Sequence, residues 1–177
     1  MTPPTAGGAG AVRLRAYTDA DRGSLIALLG DPDVMRFVGD GAPIEETEAG
    51  RLFDGMAEIH AIDPAFFIWA VEDEGGYAGH AELKRRRGRA EYELVYYVAR
   101  DRWGRGIGGI VADALLAAAR EKRLPFVIAT VYDGNAASRR IVARRGFLPD
   151  ARLSEELGAP TYRLDLEESV RTRRPQG

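Results

Sequence analysis

The chain has 177 residues, of which 45% are apolar, and its 25 basic and 27 acidic side chains leave a formal net charge of −2. This length and composition predict one folded domain, and the balanced charge argues against a nucleic-acid-binding protein, which usually carries a strongly basic surface. Because the chain has no cysteine, disulfide frameworks, thiolate zinc sites and cysteine nucleophiles are excluded.

The two ends of the chain differ in composition from the middle. Residues 1–10 are mostly Pro, Thr, Ala and Gly, and residues 168–177 are largely polar, so we expect two tails around one domain at 11–167. The first ten residues lack the basic start and the apolar run of a signal peptide. No stretch approaches the roughly 18 apolar residues that span a membrane. The sequence therefore predicts a cytoplasmic protein that does not bind membranes.

The first half of the domain predicts one strand and two helices. Alternating apolar residues predict a strand over 12–17. Apolar residues at helical spacing then predict one helix that ends at Gly30 and a second that begins at Glu45 or Thr47 and ends at His60.

Three strands follow these helices. The segments 66–72, 77–84 and 90–99 are rich in aromatic and β-branched residues. They are separated by a Gly-Gly turn and by a short charged turn, which are too short for a crossover connection. The pattern predicts an antiparallel meander.

The last third of the domain alternates between helices and strands. Helices are predicted over 107–122 and 136–145, and strands over 126–132, 147–153 and 161–166. Together with the meander, these elements predict an α/β (α+β) fold. It has a mixed central sheet of about six to seven strands flanked by about four helices.

A glycine-rich loop connects the meander to the helix at 107–122. Glycines let backbone N–H groups approach an anion closely because no Cβ intervenes. The helix N-terminus adds unpaired N–H groups and a partial positive charge, and Arg105 is a candidate for a charge-assisted contact. The loop predicts a phosphate or pyrophosphate site, with a plain turn as the alternative, and its residues are Trp103, Gly104, Arg105, Gly106, Ile107, Gly108 and Gly109.

The same glycines also satisfy the dinucleotide-binding fingerprint, as Gly104-x-Gly106-x-x-Gly109, with Asp133 after the next strand. Three features argue against it. Residues 99–103 separate the strand from the first glycine, too little sequence follows for further parallel units, and the preceding strands are joined by tight turns. A dinucleotide-binding protein stays as the less favoured alternative.

At these residues the sequence resembles the GNAT superfamily of N-acetyltransferases. Residues 103–108 occupy the place of the family motif Gln/Arg-x-x-Gly-x-Gly/Ala, with Trp at the first position, as is frequent in the similar Rim-type ribosomal-protein N-terminal acetyltransferases. Residues 90–98 resemble the family's fourth strand, and residues 135–147 resemble its Asn-x-x-Ser/Ala…Gly-Phe block. The resemblance covers about 12–166 and implies the GNAT fold.

The resemblance also implies a reaction and a set of binding residues. The acetyl donor would be acetyl-CoA, the acceptor a primary amine of a protein N-terminus or a small molecule, and no metal would take part. The amine would attack the thioester directly in a ternary complex. The positions that carry over for coenzyme binding are Tyr96, Tyr97, Val98, Trp103, Gly104, Arg105, Gly106, Ile107, Gly108, Gly109, Asn135 and Ser138.

Such a reaction requires two proton transfers, one from the amine and one to the leaving thiolate. A primary amine, with a pKa near 10.4, arrives protonated and needs a base. Glu93 stands where some family members place a catalytic glutamate, and Glu82 on the neighbouring strand is the alternative. Many relatives use a tyrosine as the acid for the leaving thiolate, but Val142 occupies that position here. Ser138 is the substitute that Rim-type enzymes suggest, unless it only contacts the coenzyme or no acid is needed.

The sequence leaves several points open. Because Val142 replaces the tyrosine, an acyl-CoA-binding regulatory or catalytically degenerate module is the alternative function. The acceptor and the choice between monomer and homodimer are not determined. Acidic residues around the first two helices are candidates either to attract a cationic amine or to cap helices, and these are Asp31, Asp33, Asp40, Glu45, Glu46 and Glu48.

Overall fold

A computed structural model describes residues 12–62, 67–85, 88–89 and 91–166. For residues 57, 58 and 60–62 it describes the backbone alone. The predicted tails at 1–10 and 168–177 lie outside the described residues.

The N-terminal part contains a short strand and three helices. They are β1 (Arg13–Arg15), α1 (Arg22–Gly30), α2 (Pro32–Met35) and α3 (Glu46–Ile62). The end of α1 at Gly30 is as predicted, and Pro32 begins α2, a short helix that the sequence analysis does not predict. Proline suits a first helical position because its missing N–H needs no partner there. The Asp31 carboxylate caps α2 by accepting hydrogen bonds from the N–H groups of Asp33 and Val34.

The predicted meander is confirmed. It consists of β2 (Phe67–Asp73), β3 (Gly76–Arg85) and β4 (Tyr92–Val98), and each strand pairs antiparallel with the next. The register places Lys84 opposite Glu93 and His80 opposite Tyr97. Because side chains alternate along a strand, the even-numbered residues of β3 from His80 share one face with the odd-numbered residues of β4.

The C-terminal part contains α4 (Ile107–Glu121), β5 (Phe126–Thr130), α5 (Ala136–Arg144), β6 (Leu148–Pro149), α6 (Ala151–Leu157) and β7 (Thr161–Asp165). The strand predicted over 147–153 is wrong beyond Pro149. Asp150 accepts a hydrogen bond from the Leu153 N–H at 2.9 Å and caps α6, which Gly158 ends in a left-handed conformation. A helix cap at each end therefore outweighed the apolar residues that suggested a strand.

The seven strands form one mixed sheet in the order β1-β2-β3-β4-β5-β7-β6. Among the described strands, β4 and β5 are the only parallel neighbours, and their pairing there is confined to Glu93 opposite Ile128. Six helices flank the sheet in the described part of the chain. One apolar core lies under α4 and α5, and the other lies under α1–α3. None of these helices is long and apolar enough to cross a membrane.

Candidate active site

A cleft opens where β4 and β5 separate. Beyond the single pair Glu93–Ile128 the two strands no longer bond to each other, so the backbone edges of both strands are left without a strand partner. The cleft has a volume of about 1370 Å³ and is lined by β4, the glycine loop, the start of α4, the end of β5 and α5. Residues of α2 and the loop after it, Asp33 to Gly39, complete the wall. An extended ligand would fit along the open edge of β4 as an added strand does.

The glycine loop presents backbone donors to this cleft. Gly104 and Gly106 have φ values of 78° and 79°, a left-handed conformation that side chains disfavour. Gly106 is the N-cap of α4 and has no side chain to cap it. The first-turn N–H groups of α4 therefore face the cleft without a side-chain acceptor, next to the positive end of the helix dipole. This arrangement suits an anion such as a pyrophosphate.

The next two glycines are needed for close packing. A Cβ on Gly108 would lie 3.1 Å from the Ile141 Cδ1 atom and 3.4 Å from the Tyr96 ring. A Cβ on Gly109 would lie 3.3 Å from the Arg145 guanidinium, which also pairs with Asp113 at 2.7 Å. These contacts bring α4 close to α5 and to β4, and so keep the cleft narrow at this end.

Two side chains of the loop point in different directions. Trp103 lines the cleft, is 43% exposed, and donates from its indole N–H to the Val98 carbonyl at 2.8 Å. This bond ties the loop to the end of β4. Arg105 does not line the cleft, and its guanidinium donates to the Asp101 carbonyl at 3.2 Å. Its backbone stays in the loop, while its charge lies outside the cleft.

Helix α5 forms the wall opposite β4. The Asn135 side chain accepts a hydrogen bond from the Ser138 N–H at 3.1 Å, so it caps this helix as well as lining the cleft. The Tyr96 hydroxyl is enclosed and makes no hydrogen bond of normal geometry. Burial raises the pKa of Tyr96, while the nearby Ser138 and Arg145 side chains oppose the rise. Val142 is packed in the core and is 3% exposed.

Two carboxylates lie on the α1–α3 face of the sheet beside the cleft. Glu93 is 8% exposed and lines the cleft directly. Glu82 lies opposite Val95, which also lines it. Tyr97 lies on the same face of the sheet, opposite His80, and its pKa is raised by burial first and then by the charges of Glu82 and Glu93. Glu93 can therefore contact a ligand in the cleft from this face.

The comparison with known families decides what kind of protein has this site. The family model for the acetyltransferase (GNAT) domain matches residues 11–148, which is more than half of the chain. The chain belongs to the GNAT acetyltransferase family. It is therefore an acyltransferase, and the dinucleotide-binding alternative is set aside.

Solved GNAT structures show the same fold. An acetyltransferase from Agrobacterium tumefaciens has a TM-score of 0.74 at 21% identity, and the match covers 93% of this chain and 95% of the other. A ribosomal-protein-alanine N-acetyltransferase from Brucella melitensis has a TM-score of 0.68 at 23% identity, covering 86% and 99%. A putative acetyltransferase from Salmonella typhimurium, yncA, was solved with its cofactor acetyl-CoA and has a TM-score of 0.68 at 17% identity, covering 92% and 98%.

The GNAT cleft gathers nearly all site residues predicted from the sequence. Arg105 and Glu82 do not line it, and the described residues contain no group of three or more His, Asp or Glu suited to hold a metal. Of the acidic residues near the first helices, Asp31 caps α2 and Asp33 pairs with Arg100. The predicted residues that line the cleft are Glu93, Tyr96, Tyr97, Val98, Trp103, Gly104, Gly106, Ile107, Gly108, Gly109, Asn135 and Ser138.

His80 is a residue for which the sequence alone indicates no role. Its side chain is buried on β3, where Nε2 lies 2.8 Å from a Glu82 oxygen and Nδ1 lies 2.7 Å from the Tyr17 hydroxyl. The spacing of His80 and Glu82 by two residues within a strand was the available signal, since it places both on one face. Tyr17 lies far away in sequence, so its contact could not be predicted from spacing.

Proposed function

We propose that this GNAT chain transfers the acetyl group of acetyl-CoA to a primary amine in a ternary complex. The observation that carries the proposal is the cleft between β4 and β5, with the uncapped N-terminus of α4 at its edge. The α4 end suits the pyrophosphate of a coenzyme, and the open edge of β4 suits its amide-containing arm. The acceptor would approach from the α1–α3 face, where the carboxylates lie.

The coenzyme would contact three parts of the cleft. The loop from Trp103 to Gly109 would hold the pyrophosphate through its backbone, and Tyr96–Val98 would pair with the arm. Asn135 and Ser138 lie on the opposite wall. The protein's main contribution to the rate is alignment of the thioester and the amine.

Proton transfer involves groups on both walls. Two carboxylates are candidates to accept the proton of the amine, namely Glu93, which lines the cleft, and Glu82 on the neighbouring strand. Ser138 is the candidate acid for the leaving thiolate. Its place on the cleft wall supports this role, because Val142 is packed in the core and offers no proton.

A charge placed in the loop tests the coenzyme site. In Gly106→Glu, a carboxylate would stand where the pyrophosphate binds, and we expect acetyl-CoA affinity measured by calorimetry to fall at least about 100-fold. Gly88→Glu is the matched control, because Gly88 also has a positive φ and open space but does not line the cleft. Equal affinity of the Gly106→Glu variant and the wild type would refute the coenzyme site.

The acceptor is identified by thiol release. The wild-type protein is incubated with acetyl-CoA and N-terminal peptides of ribosomal proteins, polyamines, amino acids or aminoglycosides, and free thiol is measured. We expect release with at least one amine class and acetylation of that amine by mass spectrometry. Tight acetyl-CoA binding without turnover across this panel would instead support a regulatory or degenerate acyl-CoA-binding module.

A further inference from the structure

A chain of four polar side chains lies under the α1–α3 face of the sheet. The Tyr77 and Tyr17 hydroxyls are 3.2 Å apart, the Tyr17 hydroxyl is 2.7 Å from His80 Nδ1, and His80 Nε2 is 2.8 Å from Glu82 Oε1. His80 is 2% exposed. An unpaired polar group inside a protein costs free energy, so every link of a buried polar network has to be formed. A network of this kind therefore calls for an explanation beyond packing.

The chemistry of these groups sets the direction of the last hydrogen bond. A carboxylate only accepts hydrogen bonds, so His80 Nε2 must carry a proton and donate it to Glu82. This holds whether the imidazole is neutral or charged. Burial raises the pKa of Tyr17 and of Tyr77, so both hydroxyls stay protonated, and the Tyr17 hydroxyl holds His80 Nδ1 in place.

The hydrogen bond from His80 acts on the ionisation of Glu82. Burial by itself would raise the pKa of Glu82, but the His80 hydrogen bond and the charges of His80 and Lys84 outweigh it, and the pKa is lowered. Glu82 is therefore a carboxylate at neutral pH. Within the described residues its hydrogen bonding is confined to Oε1, which leaves Oε2 for another donor.

The chain of four side chains is linked to the cleft through β4. Tyr97 lines the cleft and stacks on the His80 ring, with centroids 5.5 Å apart and an interplanar angle of 16°. Val95, directly opposite Glu82, also lines the cleft. Glu82 thus lies directly across the sheet from a residue that lines the cleft, on the face from which an acceptor would approach.

We propose that Glu82 is the base that takes the proton of the acceptor amine, and that His80 is a positioning residue which orients Glu82 and keeps it ionised. The proposal rests on the proposed acetyl transfer. The ammonium gives one proton to Glu82 Oε2, and the freed lone pair forms the C–N bond at the thioester carbonyl. The C–S bond breaks with its electron pair on sulfur, and the second proton lost from nitrogen neutralises the thiolate.

Other charged and titratable groups face these four side chains and affect the pH dependence of Glu82. Tyr97 and Glu93 lie on β4, Lys84 acts on Glu82 from β3, and Asp21 and Arg15 act on the tyrosines. The α3 helix contributes the apolar Phe53, whose ring packs edge-on against Tyr17. A test must therefore compare variants that leave these groups unchanged.

The test measures kcat/KM against pH for the acceptor found by thiol release. The ratio of variant to wild type removes the ionisation of the amine itself. In His80→Ala, burial of Glu82 is no longer opposed by a hydrogen bond, so we expect the ratio to fall about tenfold between pH 7 and pH 5, as a raised carboxyl pKa requires. The KM for acetyl-CoA should not change. In His80→Gln, the side-chain amide can donate to Glu82, and we expect a nearly flat ratio.

Two further pairs of variants keep the test decisive if His80→Ala does not fold. Tyr17→Phe removes the bond to His80 Nδ1 and should lower the ratio at acid pH, whereas the control Tyr162→Phe on β7 should not. Glu82→Gln should reduce kcat at least about 100-fold, the usual contribution of a general base, and Glu93→Gln should reduce it less.

The outcomes separate this inference from the proposed function. A folded His80→Ala variant with the pH profile of the wild type, or a fully active Glu82→Gln variant, would overturn the role of His80 and Glu82 while acetyl transfer stands. A wild-type protein that neither binds acetyl-CoA nor releases thiol would overturn the proposed function itself.

Discussion

The two sides of β4 are built in different ways. On the α4–α5 side, the cleft is formed by the loop 103–109, which follows β4 along the chain, and by the helix that begins after Asn135. On the α1–α3 side, Tyr17 reaches His80 and Tyr77 across about sixty residues. The coenzyme side therefore depends on local backbone conformation, and the acceptor side depends on tertiary packing.

This difference suits the two roles that we propose, which are coenzyme binding on the α4–α5 side and proton removal from the amine on the α1–α3 side. A pyrophosphate is bound by backbone N–H groups, which need only a glycine-rich turn and a helix N-terminus. A base must instead be buried, oriented and kept ionised, which requires side chains from several elements. Specificity for an acceptor can then vary without changing the coenzyme site.

The largest effect is expected where the two sides meet. A Cβ on Gly79 would lie 2.1 Å from the Tyr97 carbonyl oxygen, a distance that the backbone of β4 cannot keep. Gly79→Ala should therefore displace β4, destabilise the fold by about 3 kcal/mol, and impair both acetyl-CoA binding and turnover. Denaturant unfolding and calorimetry measure these changes.

Gly55→Ala is the control for Gly79→Ala. Gly55 lies in α3 and has no atom within 4 Å of an added Cβ, so alanine there should stabilise the helix slightly. If Gly79→Ala were as stable as the wild type, the close approach of β3 and β4 would not couple the two sides.

A second prediction concerns the acceptor side alone. Asp21 is 5% exposed and receives two hydrogen bonds of 2.7 Å from Arg15, which with the Thr18 N–H lower its pKa from 3.8 to about 2. Asp21→Asn should cost about 2 kcal/mol of stability at pH 7, as expected for hydrogen bonds between charged groups. Coenzyme affinity should not change.

The pH dependence of this loss follows from the sign of the shift. Because the pKa of Asp21 is lower in the folded state, its stabilisation is present above about pH 4 and is lost as the pH falls towards 2. Unfolding by urea should show a difference between wild type and variant that shrinks over this range. The exposed pair of Arg22 and Asp54 at 3.2 Å provides the control, since Asp54→Asn should have no measurable effect. A constant difference at every pH would contradict the assignment.

The difference between local patterns on the coenzyme side and long-range contacts on the acceptor side explains what the sequence could predict. The meander, the glycine loop and the Asn135–Ser138 block are local patterns, and the structure places them together at one cleft. Within the glycine loop Arg105 departs, because a long flexible side chain can turn to the Asp101 carbonyl. The sequence does not predict the short helices α2 and α6, because Pro32 follows the end of a helix and Asp150 lies within a predicted strand, yet both begin helices.

The acceptor side was harder to predict. The alternation of β3 places His80 and Glu82 on one face, but it does not show that the carboxylate and the imidazole are bonded. The link to Tyr17 needs the pairing of β1 with β2 and of β2 with β3, a topology that the sequence supports only in outline. Residues that act through long-range contacts are therefore the last to be found from sequence.

The smallest effect is expected at Asn135, where the coenzyme side depends on a helix cap. Asn135→Ala removes the acceptor for the Ser138 N–H and should cost about 1 kcal/mol of stability. Asn135→Ser can still cap α5 but does not reach as far into the cleft. If Asn135 also contacts the coenzyme, both variants should bind acetyl-CoA more weakly, while only Asn135→Ala loses stability. Equal acetyl-CoA affinity in wild type and Asn135→Ser would reduce Asn135 to a structural cap, and the coenzyme side would then depend on the glycine loop and β4.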